Sequence, residues 1–375
     1  MNRMEDLSLY KEAYDHFNEE VFTQEIYSFA SQRLYQYHPY LAFTLGSMGG
    51  EYAPSKTLTT NSCGLRAVEE PDWSRYRICV LGGSGVFGSY APRNDKTIPG
   101  YIESFFEKKI KDKKIQVINC GHVGHVMSQH LILLHQVILE KYKPDMVVCL
   151  AGFNDFLNFI DNLEPGGSRQ NEYQVMIRAI QYGSLGSIFK NVFLKTFRIR
   201  HKNLNKVFTK LYQIRQILKQ KKNNVNTNKN VLSLLQSPLE VARCEKHASY
   251  FVQQLLYQKS LLDGFGIKFI AGLQPALGLE NGKTLTKKEN YISQKYTSSR
   301  KDYFSYLTGY FDTIEKKMLS IKDDHGIQWV NCTTAFNDVN RQIFIDSVHM
   351  GDVGNKIVAE QLAKEAILAD TGLEK

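Results

Sequence analysis

From residue 77 onward, short apolar runs alternate with longer stretches whose apolar positions recur every three or four residues. Arg77–Gly82 (RICVLG) reads as a strand, and Pro99–Lys109 as a helix opened by Thr97 and a proline in its first turn. Ile115–Asn119 (IQVIN) reads as a second strand. Ser128–Tyr142 follows as a long, mostly apolar helix ended by Pro144, and Asp145–Ala151 (DMVVCLA) is a third strand. The rhythm then breaks for about 90 residues. It resumes with a helix at Val241–Asp263, stopped by Gly264, and a strand at Ile267–Ala271. A helix at Tyr303–Lys322, a strand at Ile327–Asn331 and a last helix at Gly354–Leu368 complete it. Strands of unbroken apolar residues between helices predict a parallel sheet covered on both faces. Five of them with right-handed crossovers make a doubly wound α/β/α sandwich of the flavodoxin-like type.

In such a sheet, ligands bind beyond the carboxyl ends of the strands. Four loops that fall there hold residue types used in acyl transfer: Gly83-Ser84-Gly85, Asn119–Gly124, Gly152–Asp155 and Asp346–His349. Ser84 follows a strand among glycines, where the backbone can turn sharply. A hydroxyl is a poor nucleophile until a base takes its proton. His349 is the candidate base, and Asp346, three residues earlier, can fix its tautomer and stabilise the imidazolium. The oxyanion formed on attack needs preorganised donors. The N–H groups of Ser84 and Gly124 and the side-chain amide of Asn154 are the candidates. Each residue has a blander use: Ser84 as a helix cap, Gly124 as a turn glycine, Asn154 and Asp155 as an N-cap pair. Only the set, in order, favours catalysis.

Two rival chemistries use the same region. Gly83–Gly88 is also a G-x-G-x-x-G after a strand, the dinucleotide-binding fingerprint. That reading demands an acid at the end of the second strand, where Asn119 and Cys120 stand, and it leaves the last two loops without a role. His122, His125, His130 and His135 are clustered, and the first two have a spacing used by metal ligands. No acid joins them at a convincing spacing, so neither a metal nor any other cofactor is expected.

Four blocks together resemble those of the SGNH (GDSL-like) hydrolase superfamily: LGGSGVFG (Leu81–Gly88), NCGHVGH (Asn119–His125), GFND (Gly152–Asp155) and DSVH (Asp346–His349). The family's Ser, Gly, Asn and His fall on Ser84, Gly124, Asn154 and His349, and its Asp on Asp346. The resemblance implies a flavodoxin-like serine esterase without a cofactor, with Ser84, Asp346 and His349 as triad and Ser84, Gly124 and Asn154 as oxyanion hole. The usual Gly-Asp-Ser is Gly-Gly-Ser here, as in family members linked to saccharide modification. His125 stands where many members have a small polar residue. Asn61–Arg66 (NSCGLR) and the Tyr37–Pro39 region also look like bacterial members of that kind. The substrate implied is an ester of a saccharide or another small molecule. An O-acyltransferase acting on a sugar through the same triad, or a non-catalytic binding protein on the same fold, are the alternatives.

Composition adds two things. The formal net charge of +9 is unevenly placed: no Asp or Glu occurs between Tyr173 and Leu239, a stretch with 13 Lys and Arg, and the remainder is net acidic. This marks a basic helical insertion at about 164–237 within a hydrolase domain at 77–368, preceded by an extension, 1–76, packing on the core. The insertion's apolar residues (Ile188, Val192, Phe193, Phe197, then Leu204, Phe208, Leu211, Leu218) recur at helical spacing. Such a face either caps the core or meets an anionic membrane surface or acidic glycan. No nucleic-acid-binding motif accompanies the charge. Secondly, the six cysteines are scattered singly and four lie in or beside strand-like runs, as buried thiols do. The polar N-terminus lacks the core of a secretory signal and no apolar run reaches 18 residues, so the expectation is a cytoplasmic protein, peripheral to a membrane if the insertion docks there.

Overall fold

The computed structural model describes residues 11–15, 35–38, 40–45, 59–167, 237–280 and 282–373. The predicted helices of the basic insertion and Pro39 lie outside them. Residues Met1–Gly167 and Pro238–Lys375 form one unit, and Ser168–Ser237 a second.

A small antiparallel hairpin comes first, β1 (Tyr35–His38) with β2 (Ala42–Leu45). The five sheet strands are β3 (Tyr76–Gly82), β4 (Ile115–Gly121), β5 (Met146–Ala151), β6 (Lys268–Leu273) and β7 (Gln328–Asn331). They are all parallel, in the order β4-β3-β5-β6-β7. This is the flavodoxin-like order, with its reversal between β3 and its two neighbours β4 and β5. Every predicted strand is present within two residues of its expected ends.

Side chains alternate along a strand, and both faces are buried. Met146, Val148 and Leu150 of β5 join one apolar cluster, with Ile78, Val80, Ile270 and Val330. Val147, Cys149 and Ala151 join the other, with Cys79, Leu81, Ile118 and Cys120. Each fully buried aliphatic side chain contributes roughly 1.5–3 kcal/mol. Helices α2 (Ile98–Lys109) and α8 (Asp352–Ala369) cover the first face. The second is covered by α3 (Met127–Leu133), α4 (Phe153–Ile160), α5 (Pro238–Asp263) and α7 (Tyr303–Ile321). Beyond Leu133 the helix continues to Tyr142 in wider π turns, where the pattern predicts one regular helix. Three α-helices were not among those predicted: α1 (Ser84–Phe87), a single turn, α4, and α6 (Lys287–Ser299).

Three pieces from the first 76 residues touch this core. At residues 11–15, Asp15 N–H donates to Asp352 at 3.0 Å and the Arg341 guanidinium holds the carbonyls of Glu12 and Tyr14. The hairpin lies on the loop after β4: Leu45 N–H donates to His122 Nε2 at 3.0 Å. In the third piece, Asn61 Nδ2 donates to the hydroxyl of Tyr142 at 2.6 Å.

Candidate active site

The end of β3 explains the turn that presents Ser84. Gly82 lies in register between Gly121 of β4 and Leu150 of β5. A Cβ on Gly82 would collide with Val86, and one on Gly121 with the backbone of Phe87. The missing side chains let α1 settle directly onto the strand ends, with Ser84 at its first position. Gly88 closes α1 in the left-handed region (φ 78°), which costs an L side chain energy and glycine none. Two side chains lock the far end of this turn. Asn119 Nδ2 donates to Val86 O at 3.1 Å. Arg66, 3% exposed, donates to Gly88 O at 2.7 Å and to Asn94 Oδ1 at 2.6 Å. Burial pulls the Arg66 guanidinium down to about 10, against the opposite pull of Asp95, so it stays charged at neutral pH.

The candidate base comes from the loop between β7 and α8. His349 Nε2 lies 2.7 Å from Ser84 Oγ, and His349 Nδ1 lies 2.6 Å from Asp346 Oδ2. The other Asp346 oxygen accepts the N–H groups of Val348 (2.9 Å) and His349 (2.8 Å). Burial works to raise the Asp346 carboxyl. The His349 charge and the hydrogen bonds from His349 and Val348 outweigh it, and the group stays below the ordinary carboxylate value. An ionised Asp346 draws the imidazole proton onto Nδ1, which leaves Nε2 to accept from the Ser84 hydroxyl.

One oxyanion candidate, Asn154, lies beside the residue that precedes Ser84. Asn154 is the second residue of α4, and its Nδ2 stands 2.7 Å from where a Cβ on Gly83 would be. One N–H of this amide donates to His125 O at 2.8 Å, which fixes its orientation and leaves a second N–H for an incoming group. Gly124 takes a left-handed conformation (φ 77°) inside the turn His122–His125. Asp155 is not the N-cap: Gly152 holds that position, and Asp155 accepts Met127 N–H at 3.2 Å from the neighbouring helix. Burial pushes its carboxyl up to about 7.

The histidines have structural work. The rings of His122 and His125 stack at 3.7 Å and 10°. His122 Nε2 accepts Leu45 N–H, so the proton sits on Nδ1, which faces Val123 O. His125 Nε2 donates to Phe43 O at 3.2 Å. Burial pulls His122 down to about 3, His130 to about 4, and His125 well below its ordinary value. The pair are thus neutral rivets between the hairpin and the loop after β4. His135 is exposed on the helix. The dinucleotide fingerprint does not behave as one either, since the helix it opens runs only from Ser84 to Phe87 and Asn119 is spent on that turn.

Sequence reasoning missed Tyr90, whose ring lies against the His349 imidazole at 5.1 Å. Tyr14 donates to the Tyr90 carbonyl at 2.9 Å. No local pattern marks either residue, because their proximity depends on the fold. Arg66 carries a signal, since it ends the block Asn61–Arg66.

No family model and no curated protein matches the sequence. Among solved structures, the chain is similar to the acetyl xylan esterase AlAXEase (13% identity, 77% of this chain and 98% of that one, TM-score 0.40). It is similar to the acetylxylan esterase Axe2 of Geobacillus stearothermophilus (13%, 80% and 96%, 0.39). A GDSL-like lipase from Bacteroides thetaiotaomicron is a third (14%, 80% and 92%, 0.38). At this identity and overlap, none of these proteins lends the chain its activity.

Proposed function

We propose that this chain is a serine esterase of the SGNH hydrolase type that forms an acyl-enzyme on Ser84. The observation that carries the reading is the line Ser84 Oγ–His349–Asp346, with contacts of 2.7 and 2.6 Å. In this reading His349 takes the Ser84 proton as the oxygen attacks an ester carbonyl. The N–H groups of Ser84 and Gly124 and the amide of Asn154 hold the oxyanion. His349 then protonates the leaving alcohol, and in the second half activates the water that frees the acid. No cofactor enters the cycle. The substrate is an acyl ester on a saccharide or other small molecule, and the four SGNH-like blocks support that class.

Intact mass after brief exposure to a fluorophosphonate tests the nucleophile. One adduct on the wild type and none on Ser84→Ala is expected, with hydrolysis of p-nitrophenyl acetate down on the order of 10³-fold or more in the variant. Near wild-type turnover in Ser84→Ala would overturn the assignment. Acetyl appearing on an added sugar faster than in water would identify a transferase using the same acyl-enzyme.

A further inference from the structure

Asp346 and His349 ride on a loop, Ile343–Gly351, that closes on itself. Ile345 N–H donates to His349 O at 2.8 Å, Gly351 N–H to Ile343 O at 3.0 Å, and Phe344 pairs with Met350. These bonds shape the loop, but they do not fix where it stands relative to Ser84. Ile343, Phe344 and Met350 pack into one core cluster and Val348 into the other, and α6 adds a polar hold. Glu289 and Tyr296 are seven residues apart, two helical turns, and so share one face. The Glu289 side chain is fully buried. One of its oxygens accepts Ile343 N–H (2.9 Å) and Phe344 N–H (3.1 Å), at the base of the loop. The other accepts Thr286 N–H and pairs with the buried Lys283 ammonium, both at 3.0 Å. Four donors fill the acceptor sites of a carboxylate. Tyr296 meets the tip: its hydroxyl accepts Ser347 N–H at 3.2 Å. Burial, and after it the Asp346 charge, pushes the Tyr296 phenol up, so the ring oxygen senses the carboxylate of the pair. From the loop after β6, Leu277 N–H adds to the hold by donating to Ser347 O at 2.9 Å.

A helix that only covered core would need an apolar face, and burying an ion pair is a costly way to build one. Here both polar side chains of the inner face are committed to the backbone of a single loop. We propose that α6 sets the position of the Asp346–His349 pair against Ser84, with Glu289 and Tyr296 as positioning residues. The proposal rests on reading Ser84 and His349 as nucleophile and base. Rates depend steeply on such placement, because a displacement well under 1 Å spoils the alignment of a base with its nucleophile.

The test is Tyr296→Phe, which removes one oxygen and keeps the ring, beside Glu289→Gln. A core variant on α7, Ile314→Ala, controls for lost stability. Three readouts are taken on the full chain: the rate of Ser84 labelling by a fluorophosphonate, kcat and KM for p-nitrophenyl acetate, and the downfield proton resonance of the His349 Nδ1–H bonded to Asp346. Tyr296→Phe is expected to melt close to wild type and to lose about 5- to 20-fold in labelling and kcat, with KM within about twofold. Its downfield resonance should broaden or move. Glu289→Gln should act in the same direction and further, while Ile314→Ala lowers the melting temperature and leaves resonance and labelling in place. Wild-type labelling with an unmoved resonance in Tyr296→Phe would overturn the proposal, as would an equal loss in Ile314→Ala. A wild type that takes no label defeats the esterase reading instead, and the resonance then still decides whether α6 holds the pair.

Discussion

At the scale of single residues, Gly83 and Asn154 offer the most specific test of the oxyanion site. Gly83 has an extended backbone that alanine tolerates, yet an added Cβ would sit 2.7 Å from Asn154 Nδ2. Gly83→Ala should therefore cost little stability, within about 1 kcal/mol, while displacing the amide and lowering kcat. Asn154→Ala should lower kcat by about 10²–10³-fold with KM little changed, because in the proposed mechanism the amide acts on charge that develops only in the transition state. A change in KM alone would assign Asn154 to ground-state binding. The buried histidines give a pH prediction. Each is held neutral by burial, so its folded value lies below the ordinary 6.5, and the stability it contributes is complete above about pH 6.5. That stability is lost as pH falls toward the folded value, because the unfolded chain takes up the proton first. His122, His125 and His130 act this way, and His247, at about 4, joins them. Asp155, pushed up to about 7, acts oppositely and offsets one of them. The carboxyls of Glu103 and Asp352, also raised by burial, act on the same side as Asp155, and each net proton taken up on unfolding is worth about 1.4 kcal/mol per pH unit. Urea midpoints measured from roughly pH 6 to 4 should fall steadily; a flat profile would mean the imidazoles are solvated.

At the scale of elements, the turn after β3 depends on a residue outside the sheet. Arg66→Leu would take the guanidinium from Asn94 Oδ1 and from the Gly88 carbonyl, which keeps only Ala91 N–H, at a cost of about 2–3 kcal/mol. A lowered melting temperature accompanied by slower Ser84 labelling is expected, since the same bond shapes α1. How well each element could be read follows from what its neighbours demand. Strands buried on both faces must be apolar throughout, so β5 (MVVCLA) announced itself. So did α2, whose threonine cap and early proline are local signals. Helix α6 escaped because its sequence, KKENYISQKYTSS, is mostly polar. Its inner face holds one buried apolar residue, Ile292, between Glu289 and Tyr296, whose partners lie some 50 residues on in the chain. Only its capping box, Thr286 with Glu289, was legible. The hairpin escaped for a related reason: each strand is four residues long, and what it grips are imidazoles 77 and 82 residues later. The site was legible as far as its residues end strands or open helices. Tyr90 and Arg66 were not given roles, because those come from contacts between segments distant in sequence.

At the scale of the whole molecule, the 13 cations between Arg178 and Lys229 stand apart from a net acidic remainder. None of the helices among the described residues is long and apolar enough to cross a membrane. A charge block of this size predicts binding to vesicles that contain anionic lipid at low ionic strength. Release on adding salt should follow, since attraction between exposed charges is screened over roughly 8 Å at physiological ionic strength. Co-sedimentation with and without anionic lipid checks this; indifference to both lipid charge and salt would leave the insertion a cap. The sheet order has a separate consequence, in time rather than space. Ser84 follows the first strand of the parallel sheet to be made, and its partner His349 lies 265 residues further along the chain. At ordinary rates of protein synthesis, roughly 15–50 s separate the two. Throughout that interval the nascent chain carries its serine as a plain alcohol, as unreactive as any other hydroxyl on its surface. In the proposed esterase, reactivity waits until the loop of Asp346 and His349 has been made and docks, and a chain that stalls before that loop is chemically silent.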